Sequence, residues 1–167
     1  MQIKMIWFGE DIPAQNQECV DHNKNLADTL GIPFELYHDK TTAKLPMYES
    51  ELLRYQWASE VPDLLYVDCD VKLKYIPEFT DTTLPYFHWY ESPEMTCFVS
   101  GIFYVNNCCQ FFKDILAEAK ARKFTAHNGW AQALMYDRYG VPKKLNRFDQ
   151  NSFEHYMFSY NKGVKND

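Results

Sequence analysis

Short apolar runs of strand length alternate along this chain with longer stretches whose apolar residues recur at helical spacing. Lys4 to Phe8 reads as a buried first strand. Ala14 to Leu30 follows as a helix, with Cys19, Val20, Leu26, Ala27 and Leu30 on its inner side and Gly31 as its stop. Phe34 to Tyr37 is a second strand. Ser50 is the expected N-cap of a helix running to about Ser59, carrying Leu52, Leu53 and Trp57 inward, with Pro62 just past its end. Leu64 to Val67 is a continuous apolar run, as in a strand covered on both faces.

Further strands are expected at Pro85 to Tyr90 and Phe98 to Val105, helices at about Gln110 to Lys123 and Gly129 to Tyr139, and a late extended segment at Tyr156 to Tyr160. Strands alternating with helices predict one α/β domain spanning residues 1–167, a compact Rossmann-like unit with a mainly parallel central sheet flanked by helices. Ligands of such sheets bind beyond the carboxyl ends of the strands. No repeat, low-complexity tract or Gly/Ser linker divides the 167 residues.

The strand Leu64 to Val67 runs directly into Asp68-Cys69-Asp70. If the strand continued, its two-residue period would put Asp68 and Asp70 on one face and turn Cys69 into the core. Two carboxylates side by side repel unless a cation lies between them, and an all-oxygen donor pair suits Mg²⁺ or Mn²⁺ better than zinc. The same D-x-D also suits a polar turn after a strand. A phosphohydrolase with an Asp nucleophile would open this way too, but Lys72 stands where its Thr is expected. An RNase H-like nuclease would need further carboxylates in a clear set.

Composition narrows the classes. A net charge of −6 excludes broad phosphate neutralisation as the mode of binding nucleic acid. Aromatic residues make up 17% of the chain, a supply of side chains that both fill cores and stack on flat ligands. Cys19, Cys69, Cys97, Cys108 and Cys109 form no CxxC pair and read as reduced, mostly buried thiols of a cytoplasmic protein. The N-terminus has no apolar stretch of signal-peptide length. Met95 to Val105, the most apolar segment, is broken by Thr96, Ser100 and Gly101 and is too short to span a bilayer, so no membrane segment is expected.

Two further motifs accompany the D-x-D. Tyr48-Glu49-Ser50-Glu51-Leu52-Leu53-Arg54-Tyr55 precedes Pro62-Asp63-Leu64-Leu65-Tyr66-Val67-Asp68-Cys69-Asp70, and the chain opens with Met5-Ile6-Trp7-Phe8-Gly9 and then Ile12-Pro13. In this order the three resemble the signature of glycosyltransferases with a DXD sugar-binding region: capsular and mannosyl transferases, the glucosylating clostridial toxins and, more loosely, glycogenin-like enzymes. The resemblance covers roughly the first half of the chain and implies a GT-A fold. It implies a metal-dependent transferase taking a sugar from a nucleotide-sugar donor, UDP-sugar favoured, with retention of configuration.

By the same resemblance Trp7, with Phe8 beside it, stacks on the nucleotide base, Glu51 holds sugar hydroxyls and Arg54 contacts the donor sugar or phosphate. Asp70 ligates Mn²⁺ or Mg²⁺ directly, Asp68 bridges metal and ribose or holds a metal-bound water, and His155 completes the metal's ligands. Ser159, Asn161 and Lys162 are the implied diphosphate contacts. Glu51 stands where the family usually has Asp, and Glu60-Val61-Pro62-Asp63 replaces a Gly-Gly turn. The chain lacks much of the usual acceptor-binding portion, so the acceptor is open among glycan, protein, small molecule and modified nucleic acid.

Glu91 is a candidate base or nucleophile. His88-Trp89-Tyr90 are candidate acceptor or sugar contacts, Asn106-Asn107 a candidate helix cap, and His127-Asn128-Gly129-Trp130 with Gln132 a candidate anion- or sugar-binding helix start. The competing functions are a non-catalytic nucleotide-sugar binding module and a metal-dependent phosphohydrolase or nuclease.

Overall fold

The computed structural model describes residues 1–40, 46–81, 83–91, 96–106, 109–121 and 145–156; at 46–51, 90–91, 96–98, 109 and 119–121 it describes the backbone alone. The expected helix Gly129 to Tyr139 and all but the first residue of the segment Tyr156 to Tyr160 lie outside these residues. The elements run β1 (Gln2–Phe8), α1 (Ala14–Leu30), β2 (Phe34–Asp39), α2 (Pro46–Glu60), β3 (Leu64–Val67), β4 (Val71–Leu73), β5 (Tyr86–Glu91), β6 (Thr96–Val105), α3 (Cys109–Ala121), β7 (Asn146–Arg147), a 3₁₀ turn (Gln150–Ser152) and β8 (Phe153–His155).

The central sheet has the strand order β2-β1-β3-β6-β5-β7 among the described residues. It is mainly parallel: β6 alone runs against its neighbours β3 and β5. β4 and β8 leave this sheet and pair with each other, antiparallel, in a small second one. The two faces of the central sheet carry separate cores. Val20 and Ala27 of α1 pack with Ile3, Met5, Leu65, Val67 and Ile102 on one face, while Tyr55, Trp57 and Ala58 of α2 and Phe111, Phe112 and Ile115 of α3 pack with Leu64, Tyr66, Phe87 and Phe103 on the other. All four residues of β3 are therefore fully buried, as an uninterrupted apolar run requires.

Local chemistry explains the boundaries. Gly31 ends α1 in the left-handed conformation (φ 67°), its N–H and that of Ile32 donating to the carbonyls of Asp28 and Ala27. α2 is already helical at Pro46, the first described residue of this stretch, so Ser50 lies inside the helix instead of capping it. Leu30, in the last turn of α1, is exposed, and the inner positions belong to Cys19, Val20, Asn23 and Ala27. Asp63, just before β3, holds a positive φ of 66°, the conformation a glycine takes without cost; the Tyr104 hydroxyl, 2.7 Å away, and the amino group of Met1 pin its carboxylate.

Candidate active site

β1 and β3 run parallel, so their carboxyl ends reach the same edge of the sheet. After Val67 the chain does not continue as a strand. Asp68-Cys69-Asp70 is a turn closed by a hydrogen bond from the Val71 N–H to the Asp68 carbonyl (3.1 Å), and β4 departs from it. This corrects the expectation that a common strand face aligns the two carboxylates: a tight turn gives each its own direction. Cys69 does enter the core, its thiol 3.2 Å from the Ile6 carbonyl, which ties the turn to β1. Burial pushes the Cys69 and Cys19 thiols up, the latter to about 11, as suits inert core cysteines.

Asp68 leans over β6. Its N–H donates to the Gly101 carbonyl (2.7 Å), the Tyr66 hydroxyl donates to its Oδ1 (2.5 Å), and the Arg54 guanidinium lies 3.5 Å from the same oxygen. Arg54 reaches there from α2, donates to the Ser100 carbonyl (2.9 Å) and rests over the Tyr66 ring. Burial pushes the Asp68 carboxyl up; Arg54 and the Tyr66 hydrogen bond pull it back, and the charge of Asp70 pushes it up again. Burial and the Asp68 charge hold the Tyr66 hydroxyl well above its ordinary value, so it is a donor at neutral pH.

Asp70 turns to the small sheet. Val71 pairs with His155 across it, the Tyr156 N–H donates to the Asp70 carbonyl (2.9 Å), and His155 Nε2 lies 3.2 Å from Asp70 Oδ2. The His155 side chain is 5% exposed and packs near His88, which holds it in place beside Asp70. Gly101 is not among the candidate site residues read from the sequence, where it shows only as a glycine inside a strand. A Cβ built there would lie 2.8 Å from Asp68 Oδ2 and 3.5 Å from the His155 ring, so the bare backbone of β6 is the floor between the two side chains. Among the described residues no group of three or more His, Cys, Asp and Glu side chains stands close enough to hold a metal alone.

At the end of β1, Trp7 is half-buried against the α1-side core and donates from Nε1 to the Asp11 carbonyl (3.1 Å). Gly9, at φ 132°, lies beside its indole edge. Phe8 faces the other way and meets Tyr37 edge-on. Trp89 and His88, candidate acceptor contacts by sequence, are core residues: Trp89 is 2% exposed, and His88 packs edge-on against Phe153. Asn106 donates to the Tyr104 hydroxyl. The side chains of Glu51, Tyr90 and Glu91, and residues Asn107, His127, Asn128, Gly129, Trp130, Gln132, Ser159, Asn161 and Lys162, lie outside what is described.

No protein-family model matches the sequence, and no curated protein matches it. Solved structures do. A glycosyltransferase involved in glycosylation of the major capsid of PBCV-1 superposes with a TM-score of 0.60 over 89% of this chain and 83% of its own, at 14% identity. This is a fold that glycosyltransferases carry. A mutant Drosophila β1,4-galactosyltransferase 7, solved with manganese, UDP-Gal and xylobiose, matches with a TM-score of 0.56 at 13% identity, over all of this chain and 76% of the other. The PaToxG glycosyltransferase matches with a TM-score of 0.53 at 14% identity, over 82% of this chain and 69% of the other. At such identities the likeness to these glycosyltransferases speaks for the fold alone. Among the described residues no helix is long and apolar enough to cross a membrane.

Proposed function

We propose that this chain is a metal-dependent glycosyltransferase, a single unit over residues 1–167 that moves a sugar from a nucleotide-sugar donor, UDP-sugar favoured, with retention. The observation that carries the reading is the Asp70–His155 pair beside Asp68 at the carboxyl end of β3. Asp70 Oδ2 and His155 Nε2, hydrogen-bonded at 3.2 Å, are an oxygen and a nitrogen donor close enough together to be drawn onto one ion, and they would hold Mn²⁺ or Mg²⁺ between them. Among the described residues two protein donors meet there, and such ions ordinarily complete their coordination with water and substrate phosphates.

When bound, the cation would neutralise charge developing on the leaving diphosphate, the largest obstacle to cleaving a nucleotide-sugar bond. The chain's own residues do the rest. Arg54 and Tyr66 fix Asp68 Oδ1 and leave Oδ2 over Gly101, free to accept a hydrogen bond from a ribose hydroxyl or a metal-bound water. Trp7 offers a half-buried indole at the neighbouring strand end for the base, while Phe8, packed on the opposite face of the sheet, is left out of that platform. Glu51 and Arg54, three apart on α2, share one side of the helix, where Glu51 would meet the sugar. Ser159, Asn161 and Lys162, close after His155 in the chain, are assigned to the diphosphate, and Glu91 to the acceptor side.

Melting curves with UDP- and GDP-sugars, each with and without Mn²⁺, test this, because a ligand that binds only the folded state raises its stability. Stabilisation by a UDP-sugar that requires Mn²⁺, with UDP release lost in Asp70→Ala, is the expected result. Stabilisation without UDP release would make the chain a binding module. Phosphoester turnover with no sugar transfer would make it a hydrolase.

A further inference from the structure

β4 and β8 are three residues each and, among the described residues, pair only with one another, a two-stranded sheet too small to hold its shape unaided. Yet this sheet presents Asp70 and His155. Its open edge, the side of β4 away from β8, meets α1. There Asn23 is fully buried and its amide spans the edge: Nδ2 donates to the Val71 carbonyl (2.8 Å) and Oδ1 accepts from the Leu73 N–H (2.9 Å). Its neighbour His22 adds a contact from Nε2 to the Leu73 carbonyl (2.7 Å). One side-chain amide thus supplies the donor and the acceptor that a third strand would.

We infer that Asn23 is a positioning residue of the metal site, fixing β4 and through it the Asp70 turn and the His155 partner; this rests on the reading of Asp70 and His155 given above. Asn23 touches no donor or metal. It acts by satisfying backbone groups that would otherwise be buried unpaired, or freed to let β4 shift. Outer partners of this kind ordinarily change metal affinity by about 10–100-fold.

The test compares Asn23→Ala with Val20→Ala, which removes buried volume from the same helix and the same core but makes no hydrogen bond to β4. In metal-free protein, Asn23→Ala should speed amide hydrogen exchange at Leu73 and at Tyr156, whose N–H closes on Asp70, while Val20→Ala should not single out these amides. Titration with Mn²⁺ alone, followed by calorimetry at a temperature where both variants are folded, should show affinity about 10–100-fold weaker in Asn23→Ala and within about twofold of native in Val20→Ala. Asn23→Ser, which keeps a short hydroxyl at the edge, should recover part of the affinity.

Native Mn²⁺ affinity in Asn23→Ala, or an equal loss in Val20→Ala, overturns the inference and leaves the site reading standing. Failure of the native chain to bind Mn²⁺, seen in the first titration, overturns both.

Discussion

Replacing Gly101 by alanine adds one methyl group to the floor of the site. The backbone of Gly101 lies outside the left-handed region, so alanine meets no conformational penalty and the effect is one of space. The new carbon would stand 2.8 Å from Asp68 Oδ2, well inside the 3.4 Å at which ordinary contact begins. The carboxylate must move, but Tyr66 and Arg54 hold its other oxygen and the main chain is tied to Gly101 itself. Crowding of this size costs about 1–3 kcal/mol, and alanine returns about 0.4–1 kcal/mol by stiffening the unfolded chain.

The net loss, about 1–2 kcal/mol, lowers Tm by about 2–8 °C in a chain of this length. Function suffers more, since misplacing a catalytic group by about 1 Å can cost about a hundredfold. Melting curves and Mn²⁺-dependent release of UDP, read on the same preparation, check both figures. A folded Gly101→Ala protein with native turnover and native Mn²⁺ dependence would refute the assignment of the space above Gly101 to the site.

Gly31→Ala should give the opposite pattern: about 1 kcal/mol of stability lost, because alanine resists the φ of 67° that closes α1, with turnover unchanged in the same assays. Tyr66→Phe removes the 2.5 Å hydrogen bond to Asp68 and should cost about 1–3 kcal/mol in urea unfolding. Arg54→Ala leaves the Asp68 carboxylate without its cation and should reduce UDP release at least as much as Gly101→Ala, whereas a pure salt-bridge role elsewhere on α2 would leave release intact. Burial, helped by His155, lowers the His88 pKa to about 4, so the unfolded chain binds its proton first as pH falls below 6.5. The native protein should therefore lose up to about 3 kcal/mol between pH 6.5 and 4, and His88→Asn should flatten that slope in urea midpoints taken across the range.

Much of this architecture is legible along the chain because local pattern and tertiary role agree. Ala14–Leu30 and Leu64–Val67 appear with the bounds their apolar spacing predicts, since each is packed against both its neighbours and its own sheet face. The site is legible only in part. Asp68 and Asp70 stand out because acids after a buried strand are conspicuous, but the turn between them is invisible to a two-residue period. The contact between Asp70 and His155 bridges 85 positions, which spacing cannot encode. Asn23 reads as an interruption of an apolar helix face, and its worth emerges only once β4 lies against it. Gly101 carries a weak signal, a glycine inside a strand, which marks a close approach without saying of what.

The division of the two aspartates between sheets has a consequence for how competence is acquired. Asp68 belongs to a hub whose strands β1, β2 and β3 come from the first 67 residues, whereas Asp70 waits for a partner delivered near the end of the chain. Closing so long a loop is entropically unfavourable until the hub exists to anchor it. On the proposed function, cation capture would thus be a late event in folding: a ribosome-bound fragment ending before residue 153 would carry Trp7 and both aspartates but lack His155 and the strand that presents it.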